Sequence, residues 1–180
     1  MLNAQISRVI RMAAMIAVLA LASAAFAKGS KTAPVTVKLQ NGQGQDAGTA
    51  TLTPAGKGVK IKLSLHGLTP GEHGIHVHQA AKCEGPDFKS AGGHFNPENK
   101  HHGLQNPEGP HAGDIPNFKA DAKGNATATL IATGIILGDG PNSVFTGGGT
   151  ALVVHAKADD GKTDPSGNSG DRVACGVIQK

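Results

Sequence analysis

Nine histidines stand in a 180-residue sequence that has no Trp or Tyr, and they are its main source of chemistry. His76 and His78 are two positions apart in an alternating segment, Gly74 to Gln79. In a strand both imidazoles leave one face while Ile75 and Val77 leave the other, so two nitrogens can reach one ion. His-x-His alone is a weak signal, but His94, His101, His102, His111 and Asp114 follow in one stretch, and His155 closes a later apolar run. Imidazoles with a single carboxylate and no spare thiolate suit Cu(II) and Zn(II) better than iron–sulfur or calcium chemistry. A His-rich surface patch would explain neither the strand alternation nor the carboxylate three positions after His111.

Such a cluster needs a frame, and the sequence supplies one made of strands. Val59, Ile61, Leu63 and Leu65 share one face, with Lys60, Lys62 and Ser64 on the other, which predicts a half-buried antiparallel strand. Comparable patterns run over Val35 to Leu39, Ala47 to Thr53, Asn117 to Ala120, Asn125 to Ile131, Thr150 to His155 and Ala174 to Ile178. Turn signals such as Asn41-Gly42, Pro70-Gly71 and Lys123-Gly124 punctuate them. Helical periodicity is lacking after the N-terminal segment, so the expected fold is an all-β sandwich or barrel of seven or eight strands. Two segments stand outside it: Ala80 to Gly113, rich in Gly, Pro, His and Asn, and the polar stretch Ala156 to Asp171. Loops that long in one domain are usually functional or disordered, and the concentration of histidines favours function.

The first 27 residues read as an export signal: Arg8 and Arg11, an apolar run from Met12, then Ala25-Phe26-Ala27 before Lys28. A retained membrane anchor is the alternative, but the run falls short of the roughly 20 residues a spanning helix needs. The domain expected after cleavage covers residues 28–180, in the periplasm or secreted, and without membrane contact. In an exported chain Cys83 and Cys175 most simply form one disulfide, two buried free thiols being the other reading. Without Arg8 and Arg11 the remainder carries 15 basic and 13 acidic side chains. That balance, with few aromatic rings on which bases could stack, argues against a nucleic-acid partner.

Five ordered segments then resemble the copper/zinc superoxide dismutases: Gly74-Ile75-His76-Val77-His78, Gly92-Gly93-His94-Phe95-Asn96-Pro97, His111-Ala112-Gly113-Asp114, Val154 to Asp160, and Gly170 to Val177. They span the chain from about Val35 to its end, and with the export signal and the two cysteines they resemble a bacterial periplasmic member. The resemblance implies an eight-stranded antiparallel Greek-key barrel, an immunoglobulin-like sandwich with two long functional loops. It implies copper on His76, His78, His94 and His155, and zinc on His94, His102, His111 and Asp114, with His94 bridging. His102 rather than His101 takes the zinc place because it lies eight positions after His94. Asp159 is implied as the carboxylate joining His76 to His102, and His73 as a scaffold histidine, while His66 and His101 have no assigned role.

The implied reaction turns superoxide into oxygen and hydrogen peroxide through alternate reduction and reoxidation of copper, with zinc structural. His94 serves as both ligand and acid. Arg172, the only arginine after the export segment, is implied to guide the anion, and Cys175 bridged to Cys83 to steady the loops. The fixed charge and planar fork of donors of Arg172 suit a small anion, the competing reading being a salt bridge to Asp171 or another carboxylate. Lys89 and Lys162 are candidates for further steering. Two other classes compete with the enzyme: a silent copper- or zinc-storing module on the same scaffold, and an adhesive β-domain with a His-rich loop. Members of the family occur as monomers and as dimers, so a homodimer stays open.

Overall fold

The computed structural model describes residues 33–180. The expected export segment, residues 1–27, lies outside them. Nine strands form in order: β1 (Val35–Asn41), β2 (Asp46–Ala55), β3 (Gly58–Leu65), β4 (Gly71–His73), β5 (Ile75–His78), β6 (Phe118–Ala120), β7 (Ala126–Ala132), β8 (Thr150–His155) and β9 (Arg172–Ile178). Among the described residues helix is confined to two short 3₁₀ turns, Lys89–Ala91 and Thr146–Gly148, and none is long and apolar enough to cross a membrane.

A seven-stranded antiparallel sheet runs β5-β8-β9-β1-β2-β3-β7, and β4 pairs with β6 in a second, small sheet. The chain changes sheet at each connection from β3 to β7, most sharply at Gly74, the single residue between β4 and β5, and through the short β6–β7 turn. Counted as one extended segment that changes partner, β4 and β5 make the nine assigned strands into the eight expected. Gly71 to His73 is the piece that strand alternation did not reveal. The curled sheet encloses Val37, Leu39, Leu52, Val59, Ile61, Leu63, Ile75, Val77, Leu152, Val154 and Ile178, all buried. Burial of this apolar surface is the main drive for the fold.

The two faces of the sheet are treated differently along its width. On β3, from Val59 onward, only alternate residues are buried, as the pattern predicts for a strand with one face in water. All four residues of β5 and all six of β8 are buried, because the two long loops cover their outer face. Beneath this cover Ala151 and Val153 of β8 and Cys175 of β9 meet Phe88 and Ala91 in a second apolar cluster. The metal-type side chains lie on this same covered side.

Candidate metal centre

β5 sits at the edge of the sheet and would expose unpaired backbone groups, a situation proteins usually cover. Here the long loop returns to do so. Val77 N–H donates to the Gly113 carbonyl at 2.9 Å, the Val77 carbonyl accepts from Phe95 N–H at 2.8 Å, and Gln79 N–H donates to the Gly93 carbonyl at 3.0 Å. His94 and Asp114 are thereby set opposite His78 and His76 as if they were in neighbouring strands. Gly113 makes this approach feasible, because any Cβ there would overlap the Val77 carbonyl. On the other flank β8 pairs with β5 in the register His76↔Val153 and His78↔Ala151. A register shift between Val154 and His155 ends β8 with His155 opposite Arg172.

Two groups of four result, sharing one residue. Potential ligand atoms of His76, His78, His94 and His155 lie within 4.8 Å of one another, as do those of His94, His102, His111 and Asp114. All seven residues are buried. In the second group, His94 Nδ1 and His102 Nδ1 each lie 3.0 Å from Asp114 Oδ1, and His111 Nδ1 is 3.4 Å from His94 Nδ1. In the first, His78 Nε2 faces His155 Nε2 at 3.4 Å, while His76 Nδ1 and His94 Nε2 are buried with no hydrogen-bond partner. Orphaned buried nitrogens carry a desolvation cost that a cation between them would offset. The donor sets, four imidazoles and three imidazoles plus a carboxylate, fit copper and zinc.

Outer hydrogen bonds decide which nitrogen of each ring is free. Carbonyl oxygens only accept, so His78 Nδ1–H donates to Gly92 at 3.0 Å and His155 Nδ1–H to Gly170 at 3.2 Å, leaving both Nε2 lone pairs inward. Asp159 acts likewise on two rings, accepting from His76 Nε2 at 2.7 Å and His102 Nε2 at 3.0 Å. That carboxylate is itself pinned by Gly161 N–H at 2.6 Å, and its backbone is clamped in both directions by the Asn117 amide at 2.8 and 3.0 Å. Gly167, at φ +63°, packs so closely on Asp159 that a side chain there would occupy the carboxylate's place. Asp164 stitches the loops together, holding His102 N–H at 2.7 Å and His101 Nδ1 at 2.5 Å.

Burial pushes His94 and His155 down to about 4, and His76 and His78 down as well, so these rings are neutral, lone-pair donors near pH 7. Burial would also lower His102, but Asp114 and Asp159 on its two sides outweigh it and raise it to about 9. Asp114 is driven far below the carboxylate range: burial opposes this, and hydrogen bonds from His102, His111 and His94 prevail. The pocket around Asp114 therefore calls for positive charge.

Arg172 opens β9 and reaches back across the covered face. Its two terminal nitrogens donate to the carbonyls of Phe88 and Gly92, each at 2.7 Å. These acceptors are neutral, so the guanidinium is positioned without a carboxylate neutralising it, contrary to a salt bridge with Asp171. The disulfide Cys83–Cys175 forms, and it joins the loop that carries Phe88 to the strand that carries Arg172. A cleft of about 550 Å³ opens beside it, lined by His78, His94, His111, His155, Ser166 and Arg172.

The remaining sequence candidates divide. His73 is buried, with Nδ1 2.7 Å from the His155 carbonyl and Nε2 2.8 Å from that of Thr69. His66 is exposed and pairs with Asp46 at 2.9 Å. Lys89 is held by Asp87 at 2.7 Å, which takes up much of the charge expected to steer an anion, and Lys162 is exposed. Asn117, Asp164 and the carbonyls of Phe88, Gly92 and Gly170 also serve the site, and no sequence motif marks them. Only the three-dimensional register reveals them, since an isolated Asn or a backbone oxygen leaves no pattern in sequence.

Comparison with known proteins gives the same answer as the chemistry. Residues 46–178 match the sequence model of the family described as copper/zinc superoxide dismutase (SODC). Superoxide dismutase [Cu-Zn] 1 of Aquifex aeolicus is 51% identical over 141 residues, covering 77% of this chain and 83% of that one. Solved structures of a SOD-like protein from Bacillus subtilis and of the Cu/Zn superoxide dismutase from Brucella abortus superpose with TM-scores of 0.77 and 0.68 at 39% and 34% identity. They cover 79% and 82% of this chain, and 97% and 100% of the other. A shared imidazole between two buried donor sets, on an antiparallel barrel matched at this level of identity, places the chain in the copper/zinc superoxide dismutase family.

Proposed function

We propose that the chain dismutates superoxide with copper held by His76, His78, His94 and His155 and zinc held by His94, His102, His111 and Asp114. The observation that carries this assignment is His94, whose Nδ1 lies with Asp114 in one group while its buried Nε2 is unpartnered in the other. Bound there, copper supplies alternate one-electron oxidation and reduction, and zinc a fixed positive charge that organises the long loop.

The protein's own groups do the rest. Arg172, held by two carbonyls at the edge of the cleft, attracts and orients the anion. Asp159 holds the Nε2 atoms of His76 and His102, so that their Nδ1 atoms are turned toward the two groups of ligands. His94 Nε2, the atom that would face copper, would carry one proton when it is not bound to the metal and pass it to the peroxide product, with water supplying the second. Two superoxide ions and two protons thus give one oxygen and one hydrogen peroxide.

Export fits this reading. Arg8, Arg11 and the apolar run ending Ala25-Phe26-Ala27 direct the chain out of the cytoplasm, and the mature protein from Lys28 works in an oxidising periplasm or beyond it, where the disulfide persists. The decisive measurement is superoxide consumption by purified protein as isolated, after chelation, and after reloading with copper and zinc. Activity should vanish and return. Fully metallated protein that leaves superoxide untouched would point to the metal-storing alternative.

A further inference from the structure

Away from the loops, the outer face of β1, β2, β3 and β7 is bare, and its composition is one-sided. Strand register sets its outward residues in rows: Lys38, Thr49, Ser64 and Thr127; then Thr36, Thr51, Lys62 and Thr129; then Thr53, Lys60 and Ile131. None of the eleven is acidic, and Lys57 in the β2–β3 turn extends the last row. The lysine ion pairs among the described residues involve Lys89, Lys100 and Lys180, none of them on this face. Asp46, at the rim, has its carboxylate on His66. With strands about 4.8 Å apart and alternate residues about 7 Å apart, Lys60 and Lys62 are about 7 Å from each other and Lys38 about 12 Å from Lys62.

We propose that this face docks a linear anionic polysaccharide. Unpaired ammonium groups at these intervals match a chain carrying a carboxylate or sulfate on every sugar or two. The threonine and serine hydroxyls between them, apart from the buried Thr53 Oγ1, are both donors and acceptors and match the sugar hydroxyls. Other occupants fit less well. A single-stranded nucleic acid needs rings for its bases, and the face has none. A membrane surface needs an apolar wedge, and only Ile131 is apolar. A protein interface would be centred on aromatic, Met or Arg side chains. The metal centre lies under the loops over β5 and β8, so docking here leaves the cleft beside Arg172 open.

The test is retention of the full metallated protein on immobilised polygalacturonate, against uncharged dextran, phosphatidylglycerol vesicles and oligo-thymidylate. The parent should bind polygalacturonate in preference to the other three at about 0.1 M salt. The triple variant Lys38→Gln/Lys60→Gln/Lys62→Gln should bind at least tenfold more weakly and lower the slope of log affinity against log salt by about three. Thr49→Glu, which places a negative charge in the middle of the face, should also weaken binding and lower the same slope by about one. None of these residues belongs to the metal centre, so superoxide turnover and Tm should stay at the parental level and report an intact fold. Equal retention of parent and triple variant, parental retention no better than on dextran, or tighter binding to vesicles or oligonucleotide overturns the proposal.

Discussion

At the scale of single residues, the site works through groups whose partners leave one atom free. Asp159 serves two imidazoles and a backbone amide with two oxygens, which an amide cannot do, because its NH₂ would face a ring N–H. Asp159→Asn should therefore weaken metal binding about 10- to 100-fold, measured by competition with a chelator. For Arg172 the expectation is kinetic. Arg172→Glu should lower kcat/KM about tenfold or more and reverse or blunt its salt dependence with metal content unchanged, and an unaltered rate would remove the residue from anion capture. Beside it a cleft of about 540 Å³ holds Asp87, Lys89, Asp171 and Arg172, two charges of each sign. Asp87→Asn should release Lys89 and raise kcat/KM about twofold at low ionic strength, a gain that disappears as salt screens it.

At the scale of elements, the return of the loop onto the edge of β5 is what turns a sequence cluster into a site. Gly113→Ala forces a Cβ against the Val77 carbonyl and must push the loop off the strand. Thermal unfolding should show about 1–3 kcal/mol of destabilisation, and affinity should fall at both groups of ligands, since His94 and Asp114 hang on the same hydrogen bonds. The legibility of these elements followed their exposure. Half-wet strands such as β3 declare themselves by alternation, and β5 could be recognised because its outward residues were histidines. Gly71 to His73 is too short to alternate. The edge pairing by Gly93, Phe95 and Gly113 is made by backbone alone, so the ligand types were readable in the sequence while the device that gathers them was not. For the same reason Arg172 stood out as the lone arginine, whereas its two carbonyl acceptors did not.

At the scale of the molecule, the disulfide spans 92 positions and closes the covered side of the sheet. Replacing both cysteines by serine should cost about 2–5 kcal/mol in denaturant unfolding. It should also lower turnover at constant metal content, because the loop bearing the Phe88 and Gly92 acceptors of Arg172 loses its tie to β9. The overall charge is small, so attraction of an anion rests on where charge is placed. Carboxylates are absent from the lining of the cleft that His78 and His155 border, and the unpaired lysines of the outer sheet face lie elsewhere.

The burial of β8 on both faces carries a cost for the unfolded protein. Thr150-Ala-Leu-Val-Val-His155 has no charged residue near neutral pH, no Pro and no Gly, and its β-branched and aliphatic side chains point both ways. Six-residue segments of this kind stack into dry cross-β interfaces when freed. In the folded chain β8 is paired on both edges, and the loop that supplies the metal ligands is the lid over its outer face. Reduction together with metal loss would lift that lid, making amyloid-type assembly the failure mode against which the centre protects its own chain.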